Sequence, residues 1–313
     1  MRIFCHIPRE NWFADRFGDE FEKFSNYSVS FTDLDCDVIW LLAAWCWKQI
    51  PKIMLQQKPV MCTIHHEVPD KFFGNRLEDF IERDKFVDVY HVPSSQTAEF
   101  ISKHTNKPIV KIGYWLNHEL WRPKDKNDAQ KILGLPNDKF FVGSFQRDTE
   151  GSDLKSPKLE KGPDRFCDFV EKLAHKGVPV HVLLNGWRRQ YVINRLETAK
   201  IPYTYAELPP QPTVANMYAA CDLYVVGSRY EGGPQSILEA SAMKVPIIST
   251  RVGMAPDVLP ETCLLNMDSE YDPYIPDKND VQKAYENVHR YCLDRHVKHY
   301  DKALENLSKG LIS

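Results

Sequence analysis

The run Ser228-Arg-Tyr-Glu231-Gly-Gly-Pro-Gln-Ser-Ile-Leu-Glu239 decides how the rest of the chain is read. It follows an apolar stretch, Asp222 to Val226, that reads as a buried strand, and Pro234 then opens an amphipathic helix running through Glu239. Proline suits a first helical turn because the N–H it lacks would be unpaired there. The amides of Gly232, Gly233, Gln235 and Ser236 gather at the positive end of that helix, an arrangement that binds phosphate. Glu231 precedes the helix and Glu239 lies inside it, which separates the carboxylates by roughly 6 to 10 Å at about 1.5 Å of rise per residue. A carboxylate accepts hydrogen bonds from two adjacent hydroxyls, so each glutamate is suited to a diol. The pattern predicts a ligand with a sugar diol at one end, a ribose diol at the other and a diphosphate between them. The bland alternative is that two acids near a helix start merely favour its dipole.

Outward from this run, short strand-like stretches alternate with amphipathic helical ones, the pattern of parallel sheets covered by helices. In the first half the strands are expected at Arg2–Ile7, Tyr27–Phe31, Val38–Ala43, Val60–His65, Val87–Val92 and Ile109–Gly113, with helices at Leu77–Asp84 and Ser95–His104. Near Leu120–Asp128 proline and charge replace the alternation, and the pattern restarts. Strands are then expected at Phe140–Phe145, Val180–Leu184, Tyr203–Ala206, Leu223–Val226, Pro246–Ser249 and Cys263–Asn266. The matching helices are Asp164–His175, Arg189–Ala199, Thr213–Ala220, Gln235–Met243 and Val281–Leu307. The fold class that follows is α/β: two Rossmann-like lobes, residues 1–120 and 121–313, with parallel sheets facing a central cleft and the last helix, 281–307, free to pack back on the first lobe. Asp148–Lys161 is long and polar, a candidate lid.

The run from Glu231 to Glu239, continued by Ala-Ser-Ala-Met-Lys-Val-Pro-Ile-Ile-Ser-Thr, resembles the E-x7-E motif of retaining glycosyltransferases of family 4, which have the two-lobed GT-B fold. Arg251-Val-Gly-Met-Ala-Pro-Asp-Val258 looks like the glycine-containing turn that follows it there. The resemblance implies that Glu231 holds hydroxyls of the donor sugar and Glu239 those of the ribose. It also implies that Gly232, Gly233, Pro234, Gln235 and Ser236 belong to the donor site. Phe141-Val-Gly143 is similar to the strand and glycine turn that open this lobe, and Lys161-Gly162 to the phosphate-binding lysine and glycine. Leu183-Leu-Asn-Gly186 is similar to the next strand and glycine turn, and the stretch Ala206, Glu207, Leu208 falls where the family reads the base. Ser144 stands where the family has arginine, with Arg147 three residues later as the donor-binding arginine. In the first lobe Cys62-Thr-Ile-His65-His66 resembles the strand end whose histidine sits beneath the donor sugar, His65 being the better aligned. The usual glycine-rich turn after the first strand is replaced by Pro8-Arg9-Glu10-Asn11.

The resemblance thus implies a retaining glycosyltransferase that needs no cofactor or metal, with Glu231, His65 and Lys161 as catalytic residues, a nucleotide-sugar donor and an unidentified hydroxyl acceptor. Two other readings stand beside it: a sugar-nucleotide epimerase of the same fold, with Glu67 or the histidines as acid and base, and a non-catalytic nucleotide-sugar-binding subunit. The net charge of -3 provides no sequence-wide field for nucleic acid. Eight scattered cysteines without a C-x-x-C pair read as reduced core residues of a cytoplasmic protein. No membrane crossing is expected, since the longest apolar run, Val38–Trp47, is about half of a spanning helix; peripheral contact through the acceptor stays open, as does the oligomeric state. Cys292, His296 and His299 share a helix face that could hold a metal but read as an accidental cluster. Asp33-Leu-Asp35 spells D-x-D yet reads as a polar turn.

Overall fold

A computed structural model describes residues 1–7, 13–32 and 35–312 of the chain. Pro8–Asn11 and Asp33, both singled out in the sequence, lie outside the described residues. The chain divides into two compact units, Met1–Trp115 with Tyr291–Ser313, and Leu116–Arg290.

In the first unit six strands form a parallel sheet: β1 (Arg2–His6), β2 (Ser28–Ser30), β3 (Val38–Leu41), β4 (Val60–Thr63), β5 (Val89–Val92) and β6 (Ile109–Lys111), in the order β2-β1-β3-β4-β5-β6. Strands β3, β4 and β5 are buried along their whole length, as parallel strands covered on both faces must be. Ser94 caps the helix Ser95–Ile101 by accepting the Thr97 N–H at 3.3 Å. The C-terminal helix Leu293–Ser308 lays Val297, Tyr300 and Leu304 on this unit, with the Tyr300 ring edge-on to Trp115 at 5.0 Å.

The second unit contains β7 (Phe140–Ser144), a small antiparallel hairpin of β8 (Thr149–Glu150) and β9 (Ser156–Pro157), then β10 (Val180–Asn185), β11 (Tyr203–Ala206), β12 (Leu223–Val226) and β13 (Ile247–Ser249). The main sheet is parallel in the order β11-β10-β7-β12-β13. The chain moves outward from β7 in one direction and then restarts at β12 in the other. Loops leaving the carboxyl ends of β7 and β12 therefore diverge, and in open parallel sheets that switch point is where ligands bind.

Two expectations need correction. The single helix expected at 281–307 is two, Lys278–Val288 and Leu293–Ser308, joined by a 3-10 turn at His289–Tyr291 and an extended Cys292; the break falls where the chain passes from the second unit to the first. The strand expected at Cys263–Asn266 is absent: a 3-10 turn occupies Glu261–Cys263, and only Leu264 bridges to Ser249. The polar stretch at Asp148–Lys161 is tied down at its base, because Asp148 is buried and ion-paired with the fully buried Arg189. All eight cysteines are free thiols, seven of them buried. Among the described residues no helix is long and apolar enough to cross a membrane.

Candidate active site

The loop after β12 takes its shape from backbone packed against backbone. Gly162 has φ +60°, and a Cβ there would lie 1.8 Å from the Gly227 carbonyl oxygen, so only glycine lets the start of the helix Pro163–His175 meet the end of β12. Gly253, at φ +53°, does the same on the other side, where a Cβ would lie 2.5 Å from the Gly232 oxygen. Side chains then strap the loop. The Glu160 carbonyl accepts the N–H groups of Arg229 and Tyr230 at 2.8 and 3.2 Å, and the Arg229 guanidinium forks onto Asp164 at 2.8 and 2.7 Å. Arg165 reaches the carbonyls of Gly227 and Ser228 at 3.3 and 3.4 Å while pairing with Asp268.

Held this way, the loop presents two carboxylates. Glu231 is 9% exposed, and Lys161 Nζ donates to its Oε1 at 2.7 Å. The buried Ser228 hydroxyl donates to the same oxygen at 3.1 Å. Both contacts fall on Oε1, and Oε2 carries no hydrogen bond among the described residues. Lys161 is itself placed by Gln146, whose Nε2 donates to the Lys161 carbonyl at 2.8 Å. Glu239 is 8% exposed and takes the Tyr218 hydroxyl on Oε2 at 3.0 Å. Between these acids the helix Gln235–Ala242 starts at Pro234 with no side-chain cap, and the Ile237 N–H turns back to the Pro234 carbonyl at 3.0 Å. Gly233, Gln235 and Ser236 are partly exposed there, whereas Gly232 and Pro234 are buried. The arrangement combines two held carboxylates, an ammonium and a helix start without a side-chain cap, a set able to grip diols and an anion.

Other residues singled out in the sequence lie elsewhere. Gly143 is inside β7, where a Cβ would meet Cys221 Sγ at 2.7 Å and the Tyr224 ring at 2.9 Å, so close packing accounts for its lack of a side chain. Arg147 donates from Nε to the Thr149 carbonyl at 3.0 Å and lies 5.1 Å from the centre of the Trp187 ring. Leu208, past the end of β11, is 67% exposed with φ +47°, a left-handed backbone that a leucine adopts only under constraint.

His65 sits at the end of β4 in the first unit with both ring nitrogens engaged. Nε2 donates to the Leu42 carbonyl at 2.8 Å, which fixes the tautomer and leaves Nδ1 to accept from the Tyr114 hydroxyl. Burial pushes its pKa down to about 3, which keeps the ring neutral. Burial raises the Glu67 carboxyl above its usual range. His296 Nε2 donates to the Gly113 carbonyl at 2.7 Å, so that nitrogen carries the proton. Among the described residues no cluster of three His, Cys, Asp or Glu could hold a metal ion.

Sequence reasoning missed Ser228, Gln146 and Tyr218 as partners of the site. Ser228 opens the run already quoted, but a serine at a strand end has no signature of its own. Gln146 and Tyr218 are placed by the sheet order alone.

Residues 154–304 match the family model Glycosyl transferases group 1. The match spans just under half of the chain and takes in Lys161, both glutamates and Gly253. The lipopolysaccharide core biosynthesis mannosyltransferase LpsB of Rhizobium meliloti is 29% identical over 179 residues, 53% of this chain and 46% of its own length. The chain therefore spans less than half the length of that relative. HepE of Anabaena, solved with UDP-glucose, superposes with a TM-score of 0.67 at 14% identity over 99% of each chain. A glycosyltransferase of Rickettsia africae superposes with a TM-score of 0.70 at 13% identity over 98% of each chain. At such identities the likeness concerns the fold, and that fold is GT-B, two lobes each built on a parallel sheet.

Proposed function

We propose that this protein is a glycosyltransferase that moves a sugar from a nucleoside diphosphate sugar to a hydroxyl acceptor, with retention at the anomeric carbon and without a metal ion. The observation that carries the reading is the pair of held carboxylates, Glu231 on Lys161 and Ser228, Glu239 on Tyr218, at the two ends of an uncapped helix start. In this reading Glu231 accepts hydroxyls of the transferred sugar and Glu239 those of the ribose. The amides of Gly232, Gly233, Gln235 and Ser236 take the diphosphate. The Leu208 segment flanks the base, and Arg147 reaches the phosphates by leaving the Trp187 ring.

As the anomeric carbon–oxygen bond to phosphate breaks, negative charge grows on the diphosphate. Lys161 and the helix end stabilise it, the kind of fixed electrostatic donor that supplies the largest share of many rate enhancements. The acceptor oxygen bonds to the anomeric carbon on the face the diphosphate leaves, and the acceptor proton passes to the departing phosphate oxygen. No histidine is required for this, in keeping with the engaged ring of His65. UDP-sugars are the first donors to test, because HepE was solved with UDP-glucose.

Purified protein incubated with UDP-, GDP- and ADP-sugars, with and without glycan and lipid extracts, tests the reading. Acceptor-dependent release of the nucleoside diphosphate is expected, slowed by about 10²- to 10³-fold in Glu231→Ala. Donor conversion at the same rate without acceptor would favour an epimerase. Full activity in Glu231→Ala would overturn the assignment.

A further inference from the structure

The acid proposed for the ribose is held by one phenol, and a second phenol lies beside the first. Tyr218 lies in the helix Gln211–Ala220 and Tyr224 in β12, and both are essentially buried. The Tyr218 ring is caged edge-on by Trp121 at 5.6 Å and Phe145 at 4.7 Å, and tilted against Tyr224 at 5.1 Å. Its hydroxyl donates to Glu239 Oε2 at 3.0 Å and also contacts the Tyr224 hydroxyl. Tyr224 accepts the Phe145 N–H at 3.0 Å and contacts Ser236. Ser236 and Glu239 are three residues apart, on one face of the helix Gln235–Ala242. The two phenols therefore brace the helix at its first and second turns and tie it to the end of β7.

We infer that Tyr218 is a positioning residue for nucleotide recognition: its hydroxyl fixes the Glu239 carboxylate in the rotamer that meets the 2′,3′-diol of a ribose. The inference rests on the reading of Glu239 given above. A carboxylate on a helix has three rotatable bonds, and ordering them on binding costs affinity. A rigid phenol bonded to one oxygen removes part of that cost in advance. Burial keeps the phenol protonated, with Tyr224 and Glu239 adding to the effect, so Tyr218 donates throughout the working pH range. Trp121, Phe145 and Tyr224 leave the ring no second orientation, which separates this tyrosine from a flexible surface donor.

The test compares binding of a nucleoside diphosphate with its 2′,3′-dideoxy analogue, using whichever of UDP, GDP and ADP the wild-type protein binds most tightly. Wild type is expected to prefer the ribose form. Tyr218→Phe, which keeps the ring and its contacts, is expected to bind the ribose form about tenfold more weakly while the dideoxy form is unaffected. Glu239→Asp, which withdraws the carboxylate from the phenol, is expected to lose it and serves if Tyr218→Phe does not fold. Equal weakening of both ligands in Tyr218→Phe, or no weakening of either, overturns the inference, as does a full preference in Glu239→Asp. Glu239→Ala separates the two levels: if it keeps the ribose preference, the reading of Glu239 has failed; if it loses the preference while Tyr218→Phe keeps it, only the role of Tyr218 has failed. Absence of binding by wild type to all three nucleotides contradicts the donor site and the inference with it.

Discussion

The carboxyl edges of the two sheets carry similar residue types and put them to opposite uses. In the first unit, His65 and His91 spend both ring nitrogens on internal partners: His65 on Leu42 and Tyr114, His91 on Thr63 at 3.0 Å and the Ile112 carbonyl at 2.9 Å. Thr63 in turn accepts the Trp40 indole N–H at 2.8 Å, so the chain of donors and acceptors closes on itself. In the second unit, Lys161, Ser228 and Tyr218 each support a carboxylate, yet Glu231 keeps Oε2 outside the network and the helix start has no side-chain cap. Polar residues at strand ends therefore do not mark a site by being there. What marks it is hydrogen-bonding capacity that a rigid scaffold orients and leaves unspent.

Breaking the scaffold on the second side should have the largest effect. Gly162→Ala forces a Cβ into the Gly227 carbonyl, with backbone on both sides and nothing flexible to yield. A loss of about 4 kcal/mol or more in denaturant unfolding is expected, in the class of changes large enough to diagnose one mechanism. A loss below about 1 kcal/mol would show that the two segments are not locked together.

The first unit's closed network should respond to pH instead. Burial lowers the pKa of His91 to about 4 and that of His65 to about 3, against an ordinary 6.5 in the unfolded chain. Between those values the unfolded state binds protons that the folded state refuses. Stability is thus complete above about pH 6.5 and declines as pH falls toward 4, by up to about 1.4 kcal/mol per pH unit for a fully buried histidine. Urea unfolding between pH 7 and pH 5 measures the slope, and His91→Gln, which cannot take the proton, should reduce it by the His91 share, while His65, His6 and His181, whose pKa values burial also lowers, keep the rest. An unchanged slope in that variant would mean the network is not the source.

The same contrast explains what the sequence revealed. The parallel sheets and the second-unit motif were legible because apolar runs of strand length and a Gly-Gly-Pro turn are local signals; β11 and β12 fall where the pattern put them. Ends of elements were less so: the long C-terminal helix breaks at Cys292 for a reason that lies in the passage between units, not in propensity. In the site, Glu231 and Glu239 stood out by spacing, and Lys161 by its glycine neighbour. Their supports did not, because Gln146 lies in the loop after β7, Tyr218 in the helix before β12 and Tyr224 in β12, and the pairing of β7 with β12 brings these segments together. The partners of His65 were equally hidden, since Leu42 and Tyr114 lie 23 and 49 residues away.

Hydrogen–deuterium exchange with and without a bound nucleoside diphosphate tests the donor turn most directly. The account predicts that ligand slows exchange of the amides in residues 232–236. Binding that leaves those amides unprotected, with protection instead in the separate groove lined by Arg229, Arg251 and Asp268, would contradict it.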